Sequence, residues 1–124
     1  MVKFVIAFHT LGNGQSITEF EAGYARFLGM VEQIPDIRRR QVIQVLGSPQ
    51  GEARFYKILE LYFDTPAAMD AALNSEAGQI AGAGLFEVFR PLGYGFDTFF
   101  ADVYEEAGGA TPTASQDNRG QNAQ

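Results

Sequence analysis

The chain of 124 residues has no cysteine and a single histidine, His9. Without cysteine there is neither a disulfide framework nor a thiol nucleophile. One histidine and no thiolate cannot supply the usual nitrogen and sulfur ligand sets, so no metal site is expected. A Ser-His-Asp triad would have to use His9, and no nucleophile elbow supports one. Basic residues are in the minority, nine Lys and Arg against fifteen Asp and Glu, for a net charge of −6. That balance argues against a nucleic-acid surface. No apolar run approaches the ~20 residues that span a bilayer. The short run at Val2–Phe8 is too brief for a signal peptide and lacks a small-residue cleavage site. It reads as a strand, and a cytoplasmic location is expected.

What is present is periodicity. Phe20, Tyr24, Phe27, Leu28, Val31 and Ile34 recur at the spacing of one helix face. Ser16 or Thr18 opens that helix as a capping box with Glu19 or Glu21. Pro35 closes it. A first strand precedes it at Val2–Thr10, with Phe4, Ile6 and Phe8 on one face and Lys3, Val5, Ala7 and His9 on the other. A second strand follows at Ile37–Leu46, then a turn at Gly47–Gly51 and a third strand at Ala53–Phe63. Thr65-Pro66 is a cap and first-turn pair for a second helix running through Leu73. Asn74-Ser75 interrupts it, and a further helical segment is expected at Glu76–Ala83. Leu85–Gly95 reads as a loop with apolar anchors, and Phe96–Tyr104 as the last strand. From residue 107 the composition turns to Gly, Thr, Pro, Ser, Asn and Gln without apolar period, which predicts a disordered tail over 107–124 behind one domain at 1–106.

The order strand, helix, strand, strand, helix, strand is the ferredoxin-like α+β pattern, βαββαβ around a four-stranded antiparallel sheet. Right-handed crossovers place the helices on one sheet face. The third strand is apolar on both sides: Phe55, Leu59, Leu61 and Phe63 on one, Tyr56, Ile58 and Tyr62 on the other. A strand with one wet face would alternate. The second face therefore needs a cover, and a second copy packed sheet against sheet supplies it. The run Arg38-Arg39-Arg40 alternates faces within a strand and reads as a protected edge, or as a carboxylate-binding arginine near a pocket mouth.

Four segments in this order carry a family resemblance: Phe20-Glu-Ala-Gly-Tyr24, Ile34-Pro-Asp-Ile-Arg38, Asn74-Ser-Glu-Ala-Gly-Gln79 and Phe96-Asp-Thr-Phe-Phe-Ala-Asp-Val-Tyr104. Over about Met1–Tyr104 the chain resembles the EthD family of the dimeric α+β barrel superfamily. It departs from the family's Tyr-x-x-x-His-x-Pro arrangement, with Leu28 at the His position and Met30 at the Pro position. The resemblance implies a homodimer with a small apolar cavity between sheet and helices in each subunit. It also implies a role in bacterial degradation of an ether or other xenobiotic, alongside an oxygenase system. Neighbouring families include cofactor-free monooxygenases, polyketide cyclases and lactone isomerases, and fold alone does not choose among them.

Candidate site residues are the polar groups that break apolar patterns. His9 is the one side chain with an ordinary pKa near neutrality, a candidate general base. Glu60 and Asp102 interrupt apolar strands. Glu60 shares a face with Tyr56, Ile58 and Tyr62, and Asp102 with Phe96, Phe100 and Tyr104. A carboxylate held among aromatics is suited to proton exchange; the competing reading is that each is paired, with Lys57 or an arginine. Tyr24, Tyr56 and Tyr62 are candidates for orienting a polar ligand atom, against a role as core residues with one wet end. Gly78, Gly82, Gly84 and Gly93-Tyr-Gly95 do not form a dinucleotide fingerprint. The expected chemistry is cofactor-free: proton transfer or oxidation of a small apolar organic molecule. The alternative is a binding protein without turnover.

Overall fold

Side-chain caps set where the helices begin. The Ser16 hydroxyl accepts from the Glu19 amide at 3.2 Å, and the Thr65 hydroxyl accepts from the Ala68 amide at 3.1 Å. Each satisfies an amide that the first helical turn leaves unpaired. The computed structural model describes residues 1–106, so the tail expected over 107–124 lies outside the described residues. Its elements are β1 (Val2–His9), α1 (Ile17–Val31), β2 (Arg39–Gln44), β3 (Phe55–Phe63), α2 (Pro66–Asn74), α3 (Glu76–Phe89) and β4 (Phe96–Asp102). All pairings are antiparallel, and the strand order is β2-β3-β1-β4. This is the ferredoxin-like α+β fold expected from the chain order.

The helices share one sheet face. Ile6, Phe8, Leu59, Leu61 and Phe63 of the sheet form a single core with Phe20, Tyr24, Phe27 and Val31 of α1, Met69 and Ala72 of α2, and Leu85, Val88 and Phe89 of α3. Phe8 sits at its centre, with ring contacts to Phe20, Tyr24 and Phe89 at centroid distances of 4.8–5.9 Å. The opposite face carries Lys3, Val5 and Ala7 of β1, Ile58, Glu60 and Tyr62 of β3, and Phe99 of β4.

Two readings are corrected. α3 does not end near Ala83 but continues to Phe89, into the first half of the expected loop. The buried stripe Ala81, Leu85, Val88 and Phe89 has helical spacing, and its burial outweighs the low helix propensity of Gly78, Gly82 and Gly84. The second correction concerns face parity at the start of β3. The β1–β3 register shifts between Phe8 and His9, so that Phe8 pairs with Lys57 but His9 pairs with Phe55. The extra residue, Tyr56, is a β-bulge. It turns Tyr56 onto the helix side, where its ring meets Phe20 edge-on at 5.2 Å. Tyr56 therefore does not share a face with Glu60, and Phe55 lies beside His9 rather than with Leu59.

β2 is an edge strand, as the arginine run predicted, and its charges are locally engaged. Arg38 donates to Asp64 at 2.8 Å, Arg39 lies over the Tyr62 ring at 4.2 Å, and Arg40 meets Glu32 at 3.5 Å.

Candidate functional site

The six predicted residues fall into separate groups. Glu60 and Tyr62 are together on the face opposite the helices. Glu60 is buried and accepts from Lys3 Nζ at 2.8 Å and from the Tyr62 hydroxyl at 2.9 Å, with Gln41 Nε2 at 3.5 Å. Its cation is Lys3, not Lys57 or an arginine. The bond to Glu60 raises the Lys3 pKa, against the opposing effect of burial. His9 is on the same face, four residues along β1 from Val5, which pairs with Glu60. Its Nε2 lies 3.2 Å from Asp97, and both side chains are about half exposed. Asp102 is exposed at the far end of β4, where it pairs with Val2. It is brought to neither Glu60 nor His9.

Tyr24 and Tyr56 belong to a polar cluster within the helix-covered side. Its centre is the pair Glu21–Lys57, which sequence reasoning did not single out. Lys57 Nζ donates to both Glu21 oxygens at 2.8 Å, the Tyr56 hydroxyl donates to Glu21 at 2.7 Å, and Lys57 stands 4.3 Å over the Tyr24 ring. Burial pushes the Glu21 carboxyl up, but the bonds from Lys57 and Tyr56 outweigh it and hold the group below its ordinary value. Burial, then the bond to Glu21, raises Tyr56. A lysine at a core-parity position of an apolar strand was the available signal, because such a cation must find a carboxylate.

Tyr24 is pushed up to about 12 by burial. Its hydroxyl is buried without a hydrogen-bond partner among the described residues. An unmet buried hydroxyl carries a desolvation cost of about 1–3 kcal/mol. Tyr24→Phe should therefore raise stability by about 1 kcal/mol in chemical denaturation. A loss of stability instead would mean that the hydroxyl has a partner in solution.

The concavity of interest contains none of these six residues. A cavity of about 250 Å³ lies between the sheet and the helices. α1 contributes Phe27 and Val31, α3 contributes Gly82, Leu85 and Phe86, and the sheet contributes Ile6, Leu61, Thr98 and Phe100. Among the described residues Thr98 is the only polar side chain in the lining. The exposed members are Gly82, Phe86, Thr98 and Phe100, so the mouth opens between α3 and the edge strand β4. Leu28 and Met30, at the positions where the family carries His and Pro, do not line it; Met30 packs toward α3 beside Gly84.

No family model and no curated protein matches this chain. Solved structures do match. An EthD family protein from Bacillus halodurans C-125 superposes with a TM-score of 0.70 at 22% identity, covering 84% of this chain and all of that one. A dimeric protein of unknown function and ferredoxin-like fold from Bacteroides fragilis gives 0.54 at 15% identity, over 82% of this chain and 95% of that one. SnoaB, a cofactor-independent oxygenase from Streptomyces nogalater, gives 0.54 at 18% identity, over 85% and 94%. The class defined by this fold is thus the ferredoxin-like α+β group that includes these proteins. The resemblance to EthD read from the sequence is borne out as a likeness of fold.

Proposed function

We propose that this protein is a homodimer that binds a small, mostly apolar organic molecule in the cavity between sheet and helices. The observation that carries the reading is the cavity itself: it is lined by apolar side chains, opens on one side, and among the described residues has one polar side chain, at its mouth. A dry apolar cavity of about 150 Å³ takes up benzene, so 250 Å³ suits a monocyclic or short branched ligand. The dimer is supported by the apolar residues on the sheet face opposite the helices, Phe99 at 50% exposure among them. The dimeric neighbour of the same fold supports it too.

A molecule in the cavity meets no side chain of Glu60, Asp102 or His9. That favours a binding or accessory role, such as a carrier for an oxygenase system, over proton transfer at those residues. A second reading, cofactor-free turnover within the pocket, draws on the cofactor-independent oxygenase of the same fold. The EthD-like neighbour supports a setting in ether or xenobiotic catabolism for either reading.

The test is thermal unfolding of the full chain, at dimer mass by light scattering, against a panel of small ethers, ketones, phenols and lactones. A ligand at one hundred times its Kd should add about 2.7 kcal/mol, a shift of several degrees for a domain of this size. No shift across the panel, or a monomer at micromolar concentration, would count against the proposal. Product formed by the purified protein alone would decide for turnover over binding.

A further inference from the structure

We infer that Thr98 selects the ligand: the cavity takes a neutral molecule with an apolar body and one hydrogen-bonding oxygen, which Thr98 holds at the mouth. The inference rests on the reading of this cavity as the binding site and adds its chemical class. Thr98 pairs with Ile6 in the sheet, between Phe96 and Phe100 on the helix-facing side of β4. Its hydroxyl is the one side-chain donor and acceptor that the described residues bring to the lining. The inner wall, Ile6, Phe27, Val31 and Leu85, offers nothing polar. A polar atom carried inward would lose its hydration without compensation. The apolar end must therefore enter first and leave the oxygen beside Thr98. Among the described residues no lysine, arginine or histidine lines the cavity, so an anionic head finds no counter-charge there. A hydroxyl both donates and accepts, which admits ketones, ethers and alcohols alike.

Gly82 stands across the mouth and gives a control. A Cβ placed there meets no described residue within 4 Å, so a larger side chain fits without displacing backbone. Gly82→Leu should close the entrance in a folded protein. The probes are ethylbenzene, acetophenone and benzoate, titrated by calorimetry into the full-length wild type, Thr98→Val, Thr98→Ser and Gly82→Leu. Both hydrocarbon and ketone should bind the wild type, with benzoate weaker than acetophenone. Thr98→Val keeps the shape and removes the hydroxyl. It should shift the acetophenone-to-ethylbenzene affinity ratio toward the hydrocarbon by roughly five- to tenfold, the size of one net hydrogen bond. Thr98→Ser should restore most of the ratio, and Gly82→Leu should abolish binding of both.

If both probes bind, Gly82→Leu blocks them and Thr98→Val leaves the ratio unchanged, the cavity is the site and the Thr98 assignment is wrong. Benzoate binding more tightly than acetophenone would overturn the neutral class. If neither probe binds, or Gly82→Leu leaves binding intact, the cavity reading falls and takes this inference with it.

Discussion

Replacing Glu21 by alanine should destabilise the fold by about 2–3 kcal/mol at pH 7. The loss comes from Lys57, whose side chain is only 9% exposed and whose two hydrogen bonds among the described residues both go to Glu21. Removing one member of a buried pair costs about 3–5 kcal/mol, because the other charge is left without compensation. The lower figure applies here because Glu21 is itself 38% exposed, so water can enter and partly replace it. The Tyr56 hydroxyl also loses its acceptor. The pH dependence has a definite sign. The folded Glu21 carboxyl lies below its ordinary value of 4.5, so its contribution is complete above that value and is lost as pH falls through the lower, folded one. Urea unfolding of wild type and Glu21→Ala should show a constant gap above about pH 5 that narrows in acid. The double replacement Glu21→Leu with Lys57→Met should recover most of the loss, since an apolar pair of similar size leaves no buried charge. A gap under about 0.5 kcal/mol at pH 7 would mean that Lys57 escapes to solvent.

The same substitution should have opposite signs at two positions one turn apart in α3. At Gly78 a Cβ would collide with the Ala72 carbonyl oxygen and lie 2.5 Å from that of Leu73. Both obstacles are backbone, at the point where α2 meets α3, and cannot move without separating the helices. The Ser75 hydroxyl fixes this joint by donating to the Ala72 carbonyl and accepting from the Gly78 amide. Overpacking of this kind costs about 1–3 kcal/mol and sometimes more. Even after the gain of about 1 kcal/mol in helix propensity, Gly78→Ala should lose about 2 kcal/mol. At Gly82 no described residue obstructs the new methyl, so Gly82→Ala should gain about 1 kcal/mol. Equal effects at the two sites would show that α2 and α3 are not in close contact in solution.

Much of the fold was legible because it is written in local patterns. The helical stripe named Phe20, Tyr24, Phe27, Leu28, Val31 and Ile34; Leu28 is partly buried and the other five are buried. Thr65-Pro66 and Ser16 mark helix starts by chemistry that needs no tertiary context. The end of α3 is not legible because three glycines within seven positions mimic a loop, and only contact with the core shows otherwise. The polar sites were half legible. Glu60 and Lys57 stand out as charges in an apolar strand, but their partners, Lys3 and Glu21, are 57 and 36 residues away in the chain. Register and helix placement decide those pairings, and neither is a property of a short window. Thr98 had no signal at all: a threonine in a strand is ordinary until a cavity is found beside it.

The bulge at Tyr56 makes the polar cluster a matter of chain length rather than residue type. An unbroken alternation from Phe63 backwards would leave Tyr56 on the far face and Glu21 without its hydroxyl. One additional residue reverses the assignment only for what precedes it, and β3 begins at Phe55, so the reversal reaches just two side chains. Insertions or losses in the turn before Phe55 can accumulate without disturbing either face of the sheet. A loss of one residue within β3 beside Lys57 takes the half-buried phenol out of the Glu21–Lys57 cluster in a single step. Homologues of different length at this point would thus be expected to differ in core polarity while keeping the same strands.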